Sequence, residues 1–467
     1  MTAAVFALFI AGSLALAFLA QRGYNVAQLE QYLVAGRSFS GFLLFFLAVG
    51  EIYSIGTMIG FPGGIYAKGV SYGVWFLGYI LLAYAVGYVV TPLIWRAGRR
   101  YGALTLPDLF RRHFSSRGLE LVVVVSSIVF LIPWGELQFT GLEVALSALG
   151  FHLSPTLAVG IAGAIAFLYI VVSGVRAPAF VSILKDTLMV LAIIIVGVAA
   201  ASHVGMRDIF ALAARHGANV TMTPAAEVFA MSTIFFQAFG FYLFPFSVQY
   251  LFTGKSEATV KRTQIFMPLY MLMYPFLVIA AYYSLAEVHH LKVANAAFMV
   301  AAARLLPPWL LGVVAAGAAL SGLLVLAGIS LSIGSMVPRN LVQGLPESAQ
   351  RRWTQVLIAV YLMVSIVLTV ASPSLMLTLI NTAYYGITQF FPGIVGMLFS
   401  RRVTSTGVAL GIVIGDLAAL TLYLTNANLL NLNIGLICLA INFAVSFGWS
   451  YLLPSRETRV PVAYAAD

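Results

Sequence analysis

Apolar stretches of about 20 residues, the length a helix needs to cross the hydrocarbon of a bilayer, follow one another along the whole chain, separated by short polar connections. A water-soluble core cannot accommodate so many of them. The pattern predicts thirteen membrane-spanning helices, at about 3–20, 42–65, 74–95, 119–146, 157–173, 179–201, 227–252, 265–285, 309–337, 353–371, 375–399, 407–424 and 434–453. The first run follows only Met-Thr, with no basic segment before it and no small-residue cleavage pattern after it, and reads as a retained span. The expected fold class is an all-α integral membrane protein of the cell inner membrane. No soluble domain, linker or low-complexity tract is expected.

Composition agrees, with 61% hydrophobic and 9% charged residues. The net charge of +10 suggests nucleic acid only until its distribution is read, because the basic residues sit in short clusters between apolar runs and form no basic face. Orientation explains them better. With the N-terminus outside, Lys68, Arg207, Arg215, Lys292 and Arg304 face out and the other 20 of the 25 Lys and Arg face the cytoplasm, a bias that predicts N-out, C-in. The single cysteine, Cys438, excludes a disulfide framework and a Cys-based metal site.

Two predicted spans are interrupted. The second carries Gly50, Gly56, Gly60, Pro62, Gly63 and Gly64, the seventh Gly240 and Pro245, in each case beside polar groups. They open two successive five-helix units, and units of odd helix number are inverted relative to each other in the membrane. The expected organisation is an extra N-terminal helix and loop (1–38), a first inverted repeat (39–202), a second (225–400) and two C-terminal helices (401–467). Broken helices at matching positions point to a midplane site, where unwound backbone offers N–H and C=O groups to a ligand. Close packing is the other reason for Gly and Pro in membrane helices.

The stretch YLVAGRSFSGFLLFFLAVGEIYSIGTMIGFPGGIYAKG (Tyr32 to Gly69) resembles the solute:sodium symporter family, whose members share the leucine-transporter inverted-repeat fold. SGVRAPAFVSILKDTLM (Ser173 to Met189), FTGKSEATVKRTQIFMPLY (Phe252 to Tyr270) and YYGITQFFPGIVGMLFSRRVTSTG (Tyr384 to Gly407) strengthen the resemblance, in order along nearly the whole chain. The GEIY, LIPWGELQFTG and TQFFPG segments look most like the monocarboxylate-permease-like branch. The resemblance implies secondary transport by alternating access, and a sodium site.

That site departs from the family pattern. By resemblance, Na⁺ would lie between backbone carbonyls at Gly50 and Tyr53 and a hydroxyl pair on the span 309–337, but the pair's positions fall on Leu324 and Val325. Neither carries a side-chain oxygen, and the nearest hydroxyls are those of Ser321 and Ser330. A family acid falls on Ser182, and one turn deeper lie Lys185 and Asp186. A lysine within a span is costly unless paired or functional. Two readings of Lys185 stay open: it replaces Na⁺ and cycles a proton, or it snorkels to the cytoplasmic interface and pairs with Asp186.

Glu136, without an obvious cationic partner in the sequence, is a candidate proton carrier or substrate ligand, since low dielectric favours a neutral carboxyl; the alternative is a protonated Glu bonded to a neighbouring helix. Glu51, beside the first break, could bind an ion, cap the unwound segment or pair with another helix. Carried over by position, the substrate pocket comprises Tyr53, Ser54, Thr57, Trp134, Glu136, Gln138, Gln237, Tyr242, Phe244, and Tyr384 or Gln389. Sugar-binding positions of relatives fall on Ile52 and Phe244, which argues against a sugar, while free N–H groups at a broken helix can hold a carboxylate.

The expected function is import of a small organic solute, a monocarboxylate or related acid, independent of sodium and coupled to protons. Alternatives are a sodium-coupled symporter for an amino acid or amine, and a transporter-like solute sensor, although the sequence to Asp467 carries no signalling domain. No cofactor and no enzyme activity are expected. The histidines His113, His152, His203, His216, His289 and His290 lie at span ends or in loops, with only the adjacent pair suggestive of a metal.

Overall fold

A computed structural model describes residues 1–20, 22, 28–150, 155–215, 217–288, 291–342, 344–371, 374–454 and 460–464. His152, His216, His289 and His290 lie outside the described residues. Each predicted span coincides with a helix or a run of consecutive helices. Nine helices and two bent helix pairs are long and apolar enough to cross a membrane among the described residues. The other two predicted spans coincide with Pro155–Ser173 and with the run Met376–Ile387, Thr388–Phe390, Phe391–Phe399.

The two bent pairs are the two spans rich in Gly and Pro. Gly41–Ile52 starts at Ser40, whose side chain accepts from Leu43 N, and ends where Tyr53 leaves helical geometry (φ −93°, ψ 75°). After a π-turn at Gly56–Gly60 the span resumes as Phe61–Lys68, the two halves meeting at 40°. Pro224–Gly240 and Pro245–Thr253 meet at 46°, with Pro245 opening the second half, where its missing N–H leaves no bond unmade. Gly240 is required by a close approach, because a Cβ there would collide with the Thr388 hydroxyl.

The most enclosed helix is Pro308–Met336, fully buried from Val314 to Met336. It packs against Arg117–Ser147, Arg176–Val204, Thr2–Ala20 and Glu347–Ala371, and so forms the axis of the bundle. Ser405–Leu424 and Ile434–Leu452 pair with each other.

Polar contacts close both ends of the first broken span. On the arginine-rich side, Arg176 Nη2 donates to Ala35 O (3.1 Å), Gln249 Nε2 to Leu33 O (3.0 Å), and Phe39 N to Thr253 O (2.9 Å). At the other end Tyr66 Oη donates to Val288 O (2.9 Å), and the short helix Ala297–Leu305 and its lead-in Ala294–Ala296 lie against Phe61–Lys68. Asn295 bridges onward, its Nδ2 donating to Ser374 O (3.2 Å) and its Oδ1 accepting from Met376 N (3.3 Å). Gly63 permits this seating, since an added Cβ would lie 2.7 Å from Asn295 Cα. Backbone cannot give way as a side-chain tip does. Gly63→Ala is therefore expected to hold the segment off the first span, raising the labelling rate of a cysteine placed at Asn295 in a Cys438→Ala background; an unchanged rate would count against it.

A second polar knot lies where Pro308–Met336 runs out into Val337–Leu341. Asn340 Nδ2 reaches both Asp108 Oδ1 (2.7 Å) and Glu120 Oε1 (2.8 Å), and its Oδ1 accepts from Thr105 Oγ1 (2.8 Å). Arg339 pairs with Asp108 (2.8 Å), and Arg111 and Arg117 pair with Glu120 (3.1 and 2.5 Å). The knot ties Leu106–Phe114 and the start of Arg117–Ser147 to the bundle axis.

Candidate functional site

Unwinding at Tyr53 and Ser54 frees carbonyl groups that a continuous helix would have spent on itself. Lys185 takes them. Its Nζ donates to Gly50 O (2.8 Å) and Tyr53 O (2.9 Å) and forms an ion pair with Asp186 Oδ1 (2.5 Å), with both side chains fully buried. The stem of Lys185 leaves Arg176–Val204 and crosses to the break, away from the surface, so the snorkelling geometry is not the one observed. Gly50 makes the crossing close: a Cβ there would lie 3.1 Å from Ser182 Oγ and 3.5 Å from Asp186 Oδ2. Gly50, Tyr53, Ser182, Lys185 and Asp186 thus come together.

Leu324 and Val325 lie on the face of Pro308–Met336 directed at this point. Helix periodicity places them with Gly317 and Gly328, whose Cβ positions would meet the backbone of Leu188 and Met189, and the Tyr250 hydroxyl and Glu51 Oε2, respectively. That face offers hydrocarbon. Ser321 and Ser330 donate to carbonyls of their own helix, Gly317 O (2.7 Å) and Leu326 O (2.6 Å). With the two free carbonyls already bonded to an ammonium and no hydroxyl at Leu324 or Val325, the residues present do not fit a sodium ion at this place, which wants several oxygen ligands.

A second group is aromatic. Trp134 lies 4.6 Å from Phe244 and 6.0 Å from Tyr384, centroid to centroid, and Phe244 lies 5.0 Å from Tyr384. These three come from Arg117–Ser147, the second break and Met376–Ile387, so one aromatic cluster draws on both halves of the chain. Tyr79 joins through Tyr384 (5.5 Å), and the Trp134 indole N–H is buried without a protein acceptor. Gln138, one turn beyond Trp134, is fully buried with its Oε1 unpartnered. Tyr53 stacks on Tyr270 (5.2 Å) and shares a hydroxyl bond with Tyr84.

Several predicted residues serve elsewhere. Ser54 Oγ accepts from Gly56 N (3.1 Å) and shapes the break itself. Thr57, nearly fully buried, lies within the π-turn that follows. Gln237 Nε2 donates to Asn381 Oδ1 (3.1 Å), and Tyr242 Oη donates to Gln264 Oε1 beside Gly87. Gln389 is held outside the aromatic cluster: its Oε1 accepts from Asn442 Nδ2 (3.0 Å) and its Nε2 donates to Tyr385 O (2.9 Å).

So is Glu136. Residues two apart on a helix point about 200° from each other, so Glu136 cannot share Trp134's direction. It is buried all the same, 8% exposed with its Oε1 unpartnered, on the other side of Arg117–Ser147 from the Trp134 ring.

The reading from sequence passed over Tyr250, whose hydroxyl reaches the Glu51 carboxylate, and Gly328, which makes room for both. Gly328 left only a weak trace, as one of many small residues along Pro308–Met336, in line with Gly317 and Ser321.

Known proteins agree with this architecture. The family model described as "Sodium:solute symporter family" matches residues 32–415. An uncharacterized symporter, YhjB, of Bacillus subtilis is 26% identical, over 97% of this chain and 96% of its own length. A monocarboxylate transport permease protein of Rhizobium johnstonii is also 26% identical, over 97% of each chain. A sodium/proline symporter of Escherichia coli is 22% identical, over 89% of this chain and 86% of its own. The solved structure of a Na⁺-coupled sialic acid symporter, in a substrate-bound outward-open state, superposes with a TM-score of 0.79 at 14% identity, over 98% of this chain and 99% of that one. A broken-helix bundle that shares this fold, with a family match over most of its length, makes the chain a multi-pass inner-membrane transporter belonging to the sodium:solute symporter family.

Proposed function

We propose that this protein imports a small monocarboxylate by alternating access, independently of sodium and driven by protons, with its N-terminus outside. The observation that carries the reading is the bond from Lys185 Nζ to both Gly50 O and Tyr53 O. An ammonium on a four-carbon stem supplies the positive charge that a dehydrated cation would bring, and Asp186 balances it. Gly50 and Tyr53 belong to one broken span and Lys185 to another helix, so the contact joins two elements that alternating access would move apart.

The aromatic cluster supports the choice of cargo. Trp134, Phe244 and Tyr384 offer ring walls to a short organic body, and the free indole N–H offers a donor to one carboxylate oxygen. The relative named as a monocarboxylate transport permease matches over nearly the full length. The sodium/proline symporters among the relatives favour the second reading, sodium-coupled uptake of an amino acid or amine.

Uptake into proteoliposomes separates the two. Radiolabelled lactate, pyruvate, acetate, alanine and a diamine are offered with Na⁺ and pH gradients imposed one at a time. Accumulation of a monocarboxylate under an inward proton gradient, unchanged when choline replaces sodium, is the expected result. Strict dependence on a sodium gradient would overturn it.

A further inference from the structure

We infer that Glu51, rather than Lys185, carries the coupling proton; this rests on the proton-coupled reading above. The Lys185 ammonium donates to Gly50 O and Tyr53 O and stands 2.5 Å from Asp186 Oδ1 as an ion pair. This arrangement needs the ammonium form. Glu51 is 6% exposed and close enough to Lys185 to feel its charge, but it is Asp186 and not Glu51 that forms the ion pair with the ammonium.

The charge count then decides the matter. One ammonium against two buried carboxylates leaves a surplus negative charge, which a dry interior tolerates poorly. Asp186 holds the ion pair, so neutrality requires a proton on Glu51.

Among the described residues Lys185 is the cation whose charge acts on Glu51; Lys261 and Arg262 of Glu257–Phe266, which also packs on Gly41–Ile52, are exposed, Lys261 lying over the Tyr88 ring (4.6 Å). From Pro245–Thr253 comes the Tyr250 hydroxyl, within hydrogen-bonding reach of the carboxylate, and from Arg176–Val204 come Lys185 and Asp186. The Met267–Met273 turn contributes Tyr270, which lies near Asp186. Pro308–Met336 has no titratable residue and presents Gly328, where a Cβ would strike the Tyr250 hydroxyl and come within 3.4 Å of Glu51 Oε2. Tyr242 and Gln264 close the remaining side.

A route for the proton adjoins the group. Glu51, Tyr242, Ser247, Tyr250 and Gln264 line a cavity of about 20 Å³, enough for a single water. Leu44 and Ala48 continue its wall along the half-span that begins at the arginine-rich end, so the cavity lies on that side of the break. On loading, an O–H bond forms at Glu51 as a hydronium becomes water. On release, water takes the proton back, and the carboxylate's regained charge weakens the hold of Lys185 on the two carbonyls by competing for the ammonium. Proton exit is in this way linked to parting of the first broken span from Arg176–Val204.

The test is pH-difference infrared spectroscopy of the full-length protein in lipid, together with uptake of radiolabelled lactate, pyruvate or acetate. Wild type should gain a protonated-carboxyl stretch as pH falls, and Glu51→Gln should lack it. A gradient of about one pH unit supports up to about tenfold accumulation for one proton per solute. Glu51→Gln should bring that ratio to unity, and its residual counterflow should no longer vary with pH. If wild type follows sodium and ignores pH, the underlying reading fails. If wild type follows pH while Glu51→Gln keeps both the band and the accumulation, the proton rides elsewhere and this inference alone is overturned. Should Glu51→Gln not fold, Tyr250→Phe must shift the infrared band and the pH midpoint of uptake; an unmoved band is equally fatal.

Discussion

Lys185→Ala is expected to abolish uptake and to make the protein's thermal stability depend on sodium, which that of wild type should not. Removing one partner of a buried pair costs about 3–5 kcal/mol, because the remaining charge is stranded. Here the stranded group is Asp186, with the Gly50 and Tyr53 carbonyls losing their donor in the same step. Truncation to a methyl leaves a carboxylate and two carbonyls around the space of the former ammonium. That set is the beginning of a hard-cation site, and an ion that binds only the folded state raises the melting temperature with its concentration. The measurement compares melting temperatures in sodium and choline chloride. A sodium-dependent rise in Lys185→Ala alone is expected, whereas equal melting in the two salts would show that the three oxygens do not converge as described. The double variant Lys185→Met, Asp186→Leu removes both charges and should recover most of the lost stability without recovering uptake.

Asn340→Leu should be the most damaging change outside the transport site. One amide there serves Asp108, Glu120 and Thr105 together, and leaving buried polar groups unmatched costs about 1–3 kcal/mol each, more when they are charged. The arginines beside Asp108 and Glu120 soften the loss, so a net destabilisation of about 3 kcal/mol is expected. The neighbouring Leu341, 41% exposed, supplies the control: Leu341→Ala should leave the melting temperature nearly unchanged. Equal behaviour of the two variants would remove the knot's claim to hold Leu106–Phe114 against the bundle axis.

The breaks were legible because glycine and proline act locally. Gly50 through Gly64, and Gly240 with Pro245, mark the bends at the residues where they occur. Lys185 was legible for a different reason: a charge in an apolar run has few ways to be satisfied, and one of them is an unwound backbone at the matching depth. What could not be read locally is direction. Tyr250 meets Glu51 from a helix that begins almost 200 residues later, and nothing near either residue announces the other. Gln389 looks like a midplane ligand until Asn442, on a helix the site does not use, takes its side chain. The misplacement of Glu136 has a simpler origin. Its angle from Trp134 follows from helix geometry, which buries it on the other side of the helix from the indole. Asn340 leaves no local signal, because its partners lie more than 200 residues earlier.

The positive group at the meeting of the first break and Arg176–Val204 is fastened to the chain by covalent bonds. Its local concentration is therefore constant, whatever salt surrounds the cell. A relative that must recruit a free ion waits for it to arrive and to leave, and slows when the medium is poor in it; a tethered ammonium neither diffuses away nor is diluted, so this contact would persist unchanged from fresh water to brine.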